Sequence, residues 1–306
     1  MASVSSSSAV GPSPGAAERG FVILAVLWIL GALATLASVY SVYVANSAAA
    51  SHVTDDRLQA EASITACLEL AAYQMTAAPE AARPSHGSFA ARIGRSRAVA
   101  QYQSEGARID LNAAPKELLA GLFAAIGASD AQAAFYADRI VGWRTKRPEV
   151  GQNDEVSAYR MAGLTYEPRQ GPFANVLELS LVRGLPAHIV ERILPFVTVF
   201  NGQPQIDIVN AAPEVVASLP GMTPERLHDV LAERARQPQD AQALLKLLGS
   251  AAGNATIDGR KASRVSVRVD LDDGRRVLAE VVILLIEDGD QPYGVLYWRD
   301  DFDGPA

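Results

Sequence analysis

Between Arg19 and Asp55 the sequence contains no Asp, Glu, Lys or Arg. That absence excludes an ordinary solvated segment. As a helix, the run FVILAVLWILGALATLASVYSVYVA from Phe21 to Ala45 would reach roughly 38 Å at about 1.5 Å per residue, more than the roughly 30 Å hydrocarbon core of a bilayer. Cysteine is nearly missing as well. Cys67 stands alone, so no intrachain disulfide can form, and its place in a helical pattern marks it as a small packed residue. Catalytic constellations are also lacking. His52, His86, His188 and His228 show no HExxH spacing, and neither a Gly-x-Ser-x-Gly elbow nor a phosphate-binding loop appears. Nor is there an excess of basic residues. With 27 Lys and Arg against 34 Asp and Glu, the net charge is −7, which argues against a nucleic-acid partner bound through phosphate neutralisation.

Three fates fit the apolar run. A secretory signal cleaved beyond it, near Ala48-Ala49-Ala50, would need an apolar core of about 7–15 residues and a basic leader, whereas residues 1–18 carry no base. A plain membrane anchor fits the length. The third is cleavage just ahead of the run, between Gly20 and Phe21, where a short polar leader and Arg19 precede Gly, Phe and an unbroken apolar helix. This is the pattern on which a prepilin peptidase acts.

Past Ala45 the helical pattern continues, with Ile64, Leu68, Ala71 and Met75 on one side and Asp55, Asp56, Arg57, Glu61 and Glu69 supplying a polar side. The spacing predicts one helix over 21–78, with 21–45 membrane-spanning, ended by Pro79, Pro84 and Gly87. Residues 97–111 read as two short strands around Ser104-Glu105-Gly106. Strict alternation over 264–269, the hairpin signal Asp272-Asp273-Gly274, and the runs 277–286 and 294–298 predict further antiparallel strands. The intervening block, 112–256, is helical in pattern. The sequence therefore predicts an α+β fold: a leader (1–20), a long helix (21–78), a small sheet in two parts (79–111 and 257–306), and an inserted helical domain (112–256).

The insert repeats a phrase. Ile109-Asp110-Leu111-Asn112-Ala113-Ala114-Pro115 returns as Ile206-Asp207-Ile208-Val209-Asn210-Ala211-Ala212-Pro213, each leading into an apolar helix. Asn ahead of a small residue and Pro suits a helix start. Leu181-Val182-Arg183-Gly184-Leu185-Pro186 introduces another helix. Helix, glycine hairpin and helix form the helix-hairpin-helix signature, which grips DNA phosphates in some proteins and is a compact packing unit in others. The acidic balance favours packing or protein contact.

The order of these features resembles the type II secretion system minor pseudopilin K family (general secretion pathway protein K). Six motifs carry the resemblance: the start at Gly20-Phe21; Ile109 to Pro115; Ile140-Val141-Gly142-Trp143-Arg144; Tyr166-Glu167-Pro168 with Pro172-Phe173; Glu178-Leu179 with Val182-Arg183-Gly184; and Asn210 to Pro213. The resemblance extends from about residue 18 to Trp298.

What the resemblance implies is a non-enzymatic component of protein secretion at the tip of a pseudopilus. Such a subunit is cleaved by prepilin peptidase between Gly20 and Phe21 and N-methylated on Phe21. It is anchored by a single pass in the bacterial inner membrane with its globular part in the periplasm, and its partners are the I and J minor pseudopilins and the major pseudopilin. Most pseudopilins carry Glu at the fifth position of the mature helix, where a buried carboxylate is costly unless paired. Here that position is Ala25, which suits a subunit that receives none above it. The family also implies calcium, with Asn153, Asp154 and Glu155 as the oxygen donors available here, although an EF-hand pattern is lacking. A membrane-anchored DNA receptor using the helix-hairpin-helix units is the alternative, and a plain membrane-anchored scaffold a third.

Overall fold

The computed structural model describes residues 15–77, 83–146, 155–236, 241–257, 262–286 and 291–301. The chain divides into two compact units after Leu58. The first holds most of helix α1 (Gly15–Thr76). Its stretch Phe21–Ser47 is long and apolar enough to cross a membrane, and none of its residues is fully buried within the protein. Leu24, Leu27, Trp28, Leu36 and Tyr43 are all exposed. A helix apolar on every side with no protein around it requires another apolar environment.

In the second unit, the remainder of α1 covers one face of an antiparallel sheet. The strands are β1 (His86–Ile93), β2 (Ser96–Ser104), β7 (Ala262–Asp270), β8 (Arg276–Leu285) and β9 (Tyr293–Asp300), side by side in that order. Along β7 the predicted period of two is realised: Val265, Val267 and Val269 point into the core, while Ser266 and Arg268 face out. Against them lie Ala60, Ile64, Cys67, Leu68, Ala71, Ala72 and Met75 of α1. Ala98 and Ala100 of β2 leave room for the helix to approach closely, and Cys67 is fully buried beside them. Burying Ile64, Leu68 and Met75 contributes about 1.5–3 kcal/mol each.

Strand β1 was not expected from its sequence, HGSFAARI, and Gly87 lies inside it rather than closing a helix. It pairs along its whole length with β2, from His86↔Gln103 to Ile93↔Ser96. The hairpin of residues 86–104 therefore turns at Gly94 (φ 58°), not at Ser104-Glu105-Gly106. That tripeptide instead leaves the sheet as a short 3-10 turn.

Between β2 and β7 the chain builds a helical block around one core. Its first half runs β3 (Ile109–Asp110), α2 (Lys116–Ala125), α3 (Asp130–Arg144), α4 (Glu155–Met161), α5 (Ala187–Ile193) and β4 (Val197–Thr198), with β3 parallel to β4. Its second half runs β5 (Ile206–Asp207), α6 (Pro213–Ala217), α7 (Pro224–Arg236), α8 (Ala241–Leu248) and β6 (Ala255–Thr256), with β5 parallel to β6. The sequence repeat is thus a structural one. In both halves a strand leads through a buried Asp into a helix, a glycine turn and a second helix. Gly127 (φ 94°) and Gly221 (φ 80°) make those turns in the left-handed region that favours glycine.

Candidate functional site

Four of the six family-like motifs converge on Trp143 of α3. Its ring stacks on Phe173 (6.1 Å, 29°) and lies 6.1 Å from Tyr159, which in turn meets Tyr166 edge-on at 5.9 Å. The Trp143 indole N–H donates to Glu178 Oε2 (3.3 Å), whose other oxygen accepts from Arg169 (2.9 Å). Phe173 is fixed from behind by Asn112, which donates Nδ2 to its carbonyl (3.0 Å) and accepts its N–H at Oδ1 (2.7 Å). Tyr159 accepts the N–H of Arg183 (2.8 Å). Residues scattered from 112 to 183 in sequence therefore share one packed cluster. Burial raises the Tyr159 phenol above its ordinary pKa.

The two Asn-Ala-Ala-Pro phrases work differently from the expectation that Asn starts the helix. Pro115 and Ala212 hold the helix-start positions without a side-chain cap. The buried Asp does the local bonding. Asp110 accepts from the N–H groups of Asn112 (2.7 Å), Ala113 (3.1 Å) and Gly202 (2.6 Å). Asp207 accepts from Val209 N (3.0 Å) and Asn210 Nδ2 (2.7 Å). A carboxylate outcompetes a neutral amide for N–H donors, which frees Asn112 to reach Phe173 and Asn210 to reach Ser85 (2.6 Å). Each turn is closed by an arginine from the next long helix: Arg144 donates to the carbonyls of Leu111 and Ala114, and Arg234 to those of Ile208 and Ala211. Burial lowers the pKa of both guanidinium groups, partly offset by Asp110 and Asp207 respectively.

The glycine turns spend amides internally. Ile126, Gly127 and Ala128 donate to Leu122, Ala124 and Phe123, while Leu185 and Met222 donate to Val182 and Leu219. Those N–H groups are not offered to a phosphate, which suits packing units.

A feature that local sequence pattern could not find joins the block to the sheet. Glu105, fully buried, accepts from Arg264 of β7 and from Arg108, and Thr198 of β4 donates to it. Arg264 also pairs with Glu280 of β8. Burial alone would lower the Arg264 pKa, but the two carboxylates hold it above the ordinary value. Between sheet and block lies a cleft of about 740 Å³ whose lining includes His86, Gln103, Arg108, Asn210 and Arg234.

Of the residues expected to define processing, Gly20 and Phe21 fall within α1. Phe21 is exposed and Ala25 half-buried. Of the expected calcium donors, Asn153 and Asp154 lie outside the described residues. Glu155 is buried, and both of its oxygens are taken by Arg139 Nη1, at 2.9 and 2.8 Å. Among the described residues, no three His, Cys, Asp or Glu side chains converge in a way that could hold a metal.

Residues 97–202 match the family model described as type II secretion system (T2SS), protein K. Comparison with curated proteins gave no significant match. Among solved structures, a chain from the crystal structure of the GspK-GspI-GspJ complex of the enterotoxigenic Escherichia coli type 2 secretion system is similar in fold. The TM-score is 0.60 at 15% identity, over 81% of this chain and 97% of that one.

Proposed function

We propose that this chain, whose residues 97–202 match the type II secretion system protein K family, is a minor pseudopilin that stands at the tip of the pseudopilus as a structural and assembly component, not an enzyme. The observation that carries this is the presence in one chain of the protein K segment and the charge-free, membrane-length helix Phe21–Ser47. In this proposal, prepilin peptidase cuts between Gly20 and Phe21 and Phe21 is N-methylated. The helix holds the subunit in the inner membrane by a single pass, with residues beyond it in the periplasm.

Ala25 supports the tip position on physical grounds. A carboxylate at that depth would be costly unless it met the amine of a neighbouring subunit. Without one, the chain can offer its own Phe21 amine below but has nothing with which to receive an amine from above. The likeness to a chain of the GspK-GspI-GspJ complex supports sister minor pseudopilins of the I and J types as partners, and the proposal adds the major pseudopilin below them. The glycine-turn helices of the block then serve as packing units. No comparison supports the DNA-receptor alternative.

Mass spectrometry of the mature N-terminus tests the proposal. The expected chain begins at N-methylated Phe21. A chain beginning at Met1 or Ser51 would overturn the processing step.

A further inference from the structure

We infer that Arg139 takes the place of a bound cation at Glu155, so that the α3–α4 junction of this chain is held by a guanidinium and does not respond to calcium through Glu155. This goes beyond the tip proposal and does not depend on it. Calcium takes six to eight oxygen ligands, among which carboxylates supply the negative charge. The Glu155 side chain is 8% exposed, and among the described residues the cation on its oxygens is Arg139, itself 20% exposed. A second, divalent cation at the same oxygens would face that guanidinium at close range in a poorly screened site.

The seat of Arg139 is built by its neighbours. The Phe135 ring, one turn earlier on α3, lies 5.3 Å beneath the guanidinium carbon in a cation–π contact. One turn later, Gly142 lies alongside Glu155, where a Cβ would stand in ordinary contact at 3.4 Å from the carboxylate. Phe135 is backed by Gly184, where a Cβ would come within 3.0 Å of its ring. An aromatic ring backed by a glycine thus shapes the seat of the ion pair. The pair ties α3 to the first residue of α4, beside the Trp143–Tyr159 contact that joins the same helices.

The test measures the thermal unfolding midpoint of the full-length protein in detergent micelles, with added calcium chloride or with EGTA. Wild type, Glu155→Gln, Arg139→Gln and the double variant are compared. The expected result is that the difference between calcium and EGTA is the same in wild type and Glu155→Gln. Arg139→Gln should lower the midpoint by roughly 4–10 °C, with no recovery in calcium, and the double variant should be no worse than the poorer single one. A calcium-dependent rise in wild type that Glu155→Gln abolishes would overturn the inference. So would an Arg139→Gln midpoint equal to wild type. Should Arg139→Gln fail to fold, Arg139→Lys keeps one charge, and the comparison of wild type with Glu155→Gln decides alone.

Discussion

Glu105 Oε1 lies 2.7 Å from Arg264 Nε, although the two residues are separated by 159 positions in sequence. This ion pair is the polar joint between the helical block and the sheet. It is nearly closed to solvent: the Glu105 side chain is 0% exposed and that of Arg264 13%. Thr198 and Arg108 complete the bonding of the carboxylate, and Glu280 satisfies the far side of Arg264. A buried pair of this kind is weak evidence for stability, because desolvating two charges offsets most of their attraction. Its contribution here is directional, since three elements must agree on one arrangement for every donor to be met.

Glu105→Gln should therefore destabilise far beyond what an exposed pair would suggest. The variant keeps the volume but leaves Arg264 and Arg108 facing each other with one carboxylate fewer. A loss of about 3 kcal/mol is expected, read from denaturant unfolding. Arg95→Ala is the control: its pair with Asp272 is exposed on both sides, and the expected loss is below about 1 kcal/mol. Equal losses in the two variants would show that the Glu105 joint is no more than a surface pair.

Gly121→Ala should disrupt the contact between the two halves of the block. Gly121 and Ser218 stand at the same offset from Asp110 and Asp207, and they touch. A Cβ at 121 would overlap the carbonyl of Ser218, with Ser218 Cα only 3.0 Å away. Backbone cannot swing aside as a side chain can, so a loss of about 3 kcal/mol is expected. Gly253→Ala, where an added Cβ meets nothing within 4 Å, should change stability by less than about 0.5 kcal/mol. Calorimetry of the pair separates overpacking from a general intolerance of alanine.

The sequence declared those elements in which burial leaves a period. Val265, Val267 and Val269 announced β7, and Ile64, Leu68, Ala71 and Met75 announced the sheet-facing side of α1. Strand β1 left no such mark. Being an edge strand, it has no fully buried position: exposed and part-buried residues alternate along it, but only Phe89 and Ile93 pack against the core, too few apolar side chains for the period to stand out in the sequence. The two-residue strands β3 to β6 are too short for any period. Glu105 looked like a turn residue because its partners, Arg264 and Thr198, come from distant parts of the chain. Asn112 was visible as part of a motif, but its role was not, because the local competitor for the same N–H groups, Asp110, wins on charge. Most of the motif residues proved to be neighbours around Trp143, which their order alone could not say.

Tyr293 should titrate late. Its hydroxyl donates to Glu69 Oε1 (3.2 Å), and burial together with that carboxylate pushes its pKa up to about 12 from 10.0. Folding thus holds a proton that the unfolded chain gives up between about pH 10 and 12. The stabilisation is complete below pH 10 and is lost as the pH rises through 12. In an ultraviolet phenolate titration, the difference between wild type and Tyr293→Phe should rise near pH 12. A difference curve centred near pH 10 would mean that the Glu69 contact does not form.

Asn112→Asp probes the cluster around Trp143 with the smallest chemical change available. The aspartate can still accept the Phe173 N–H, but it cannot donate to the Phe173 carbonyl, so one half of the two-way bond is replaced by two oxygens facing each other. It also sets a second carboxylate beside buried Asp110. Leaving a part-buried acceptor unmet costs about 1–3 kcal/mol, and the like charge adds to it. Because Phe173 stacks on Trp143, the loss should appear in the near-ultraviolet circular dichroism of the tryptophan as well as in the unfolding midpoint. Asn112→Ala should lose stability to a comparable degree while adding no charge, so lowering the pH toward the carboxylate range should restore part of the stability of the Asp variant and none of that of the Ala variant. If the two variants respond alike to pH, the repulsion with Asp110 is not what destabilises the Asp form.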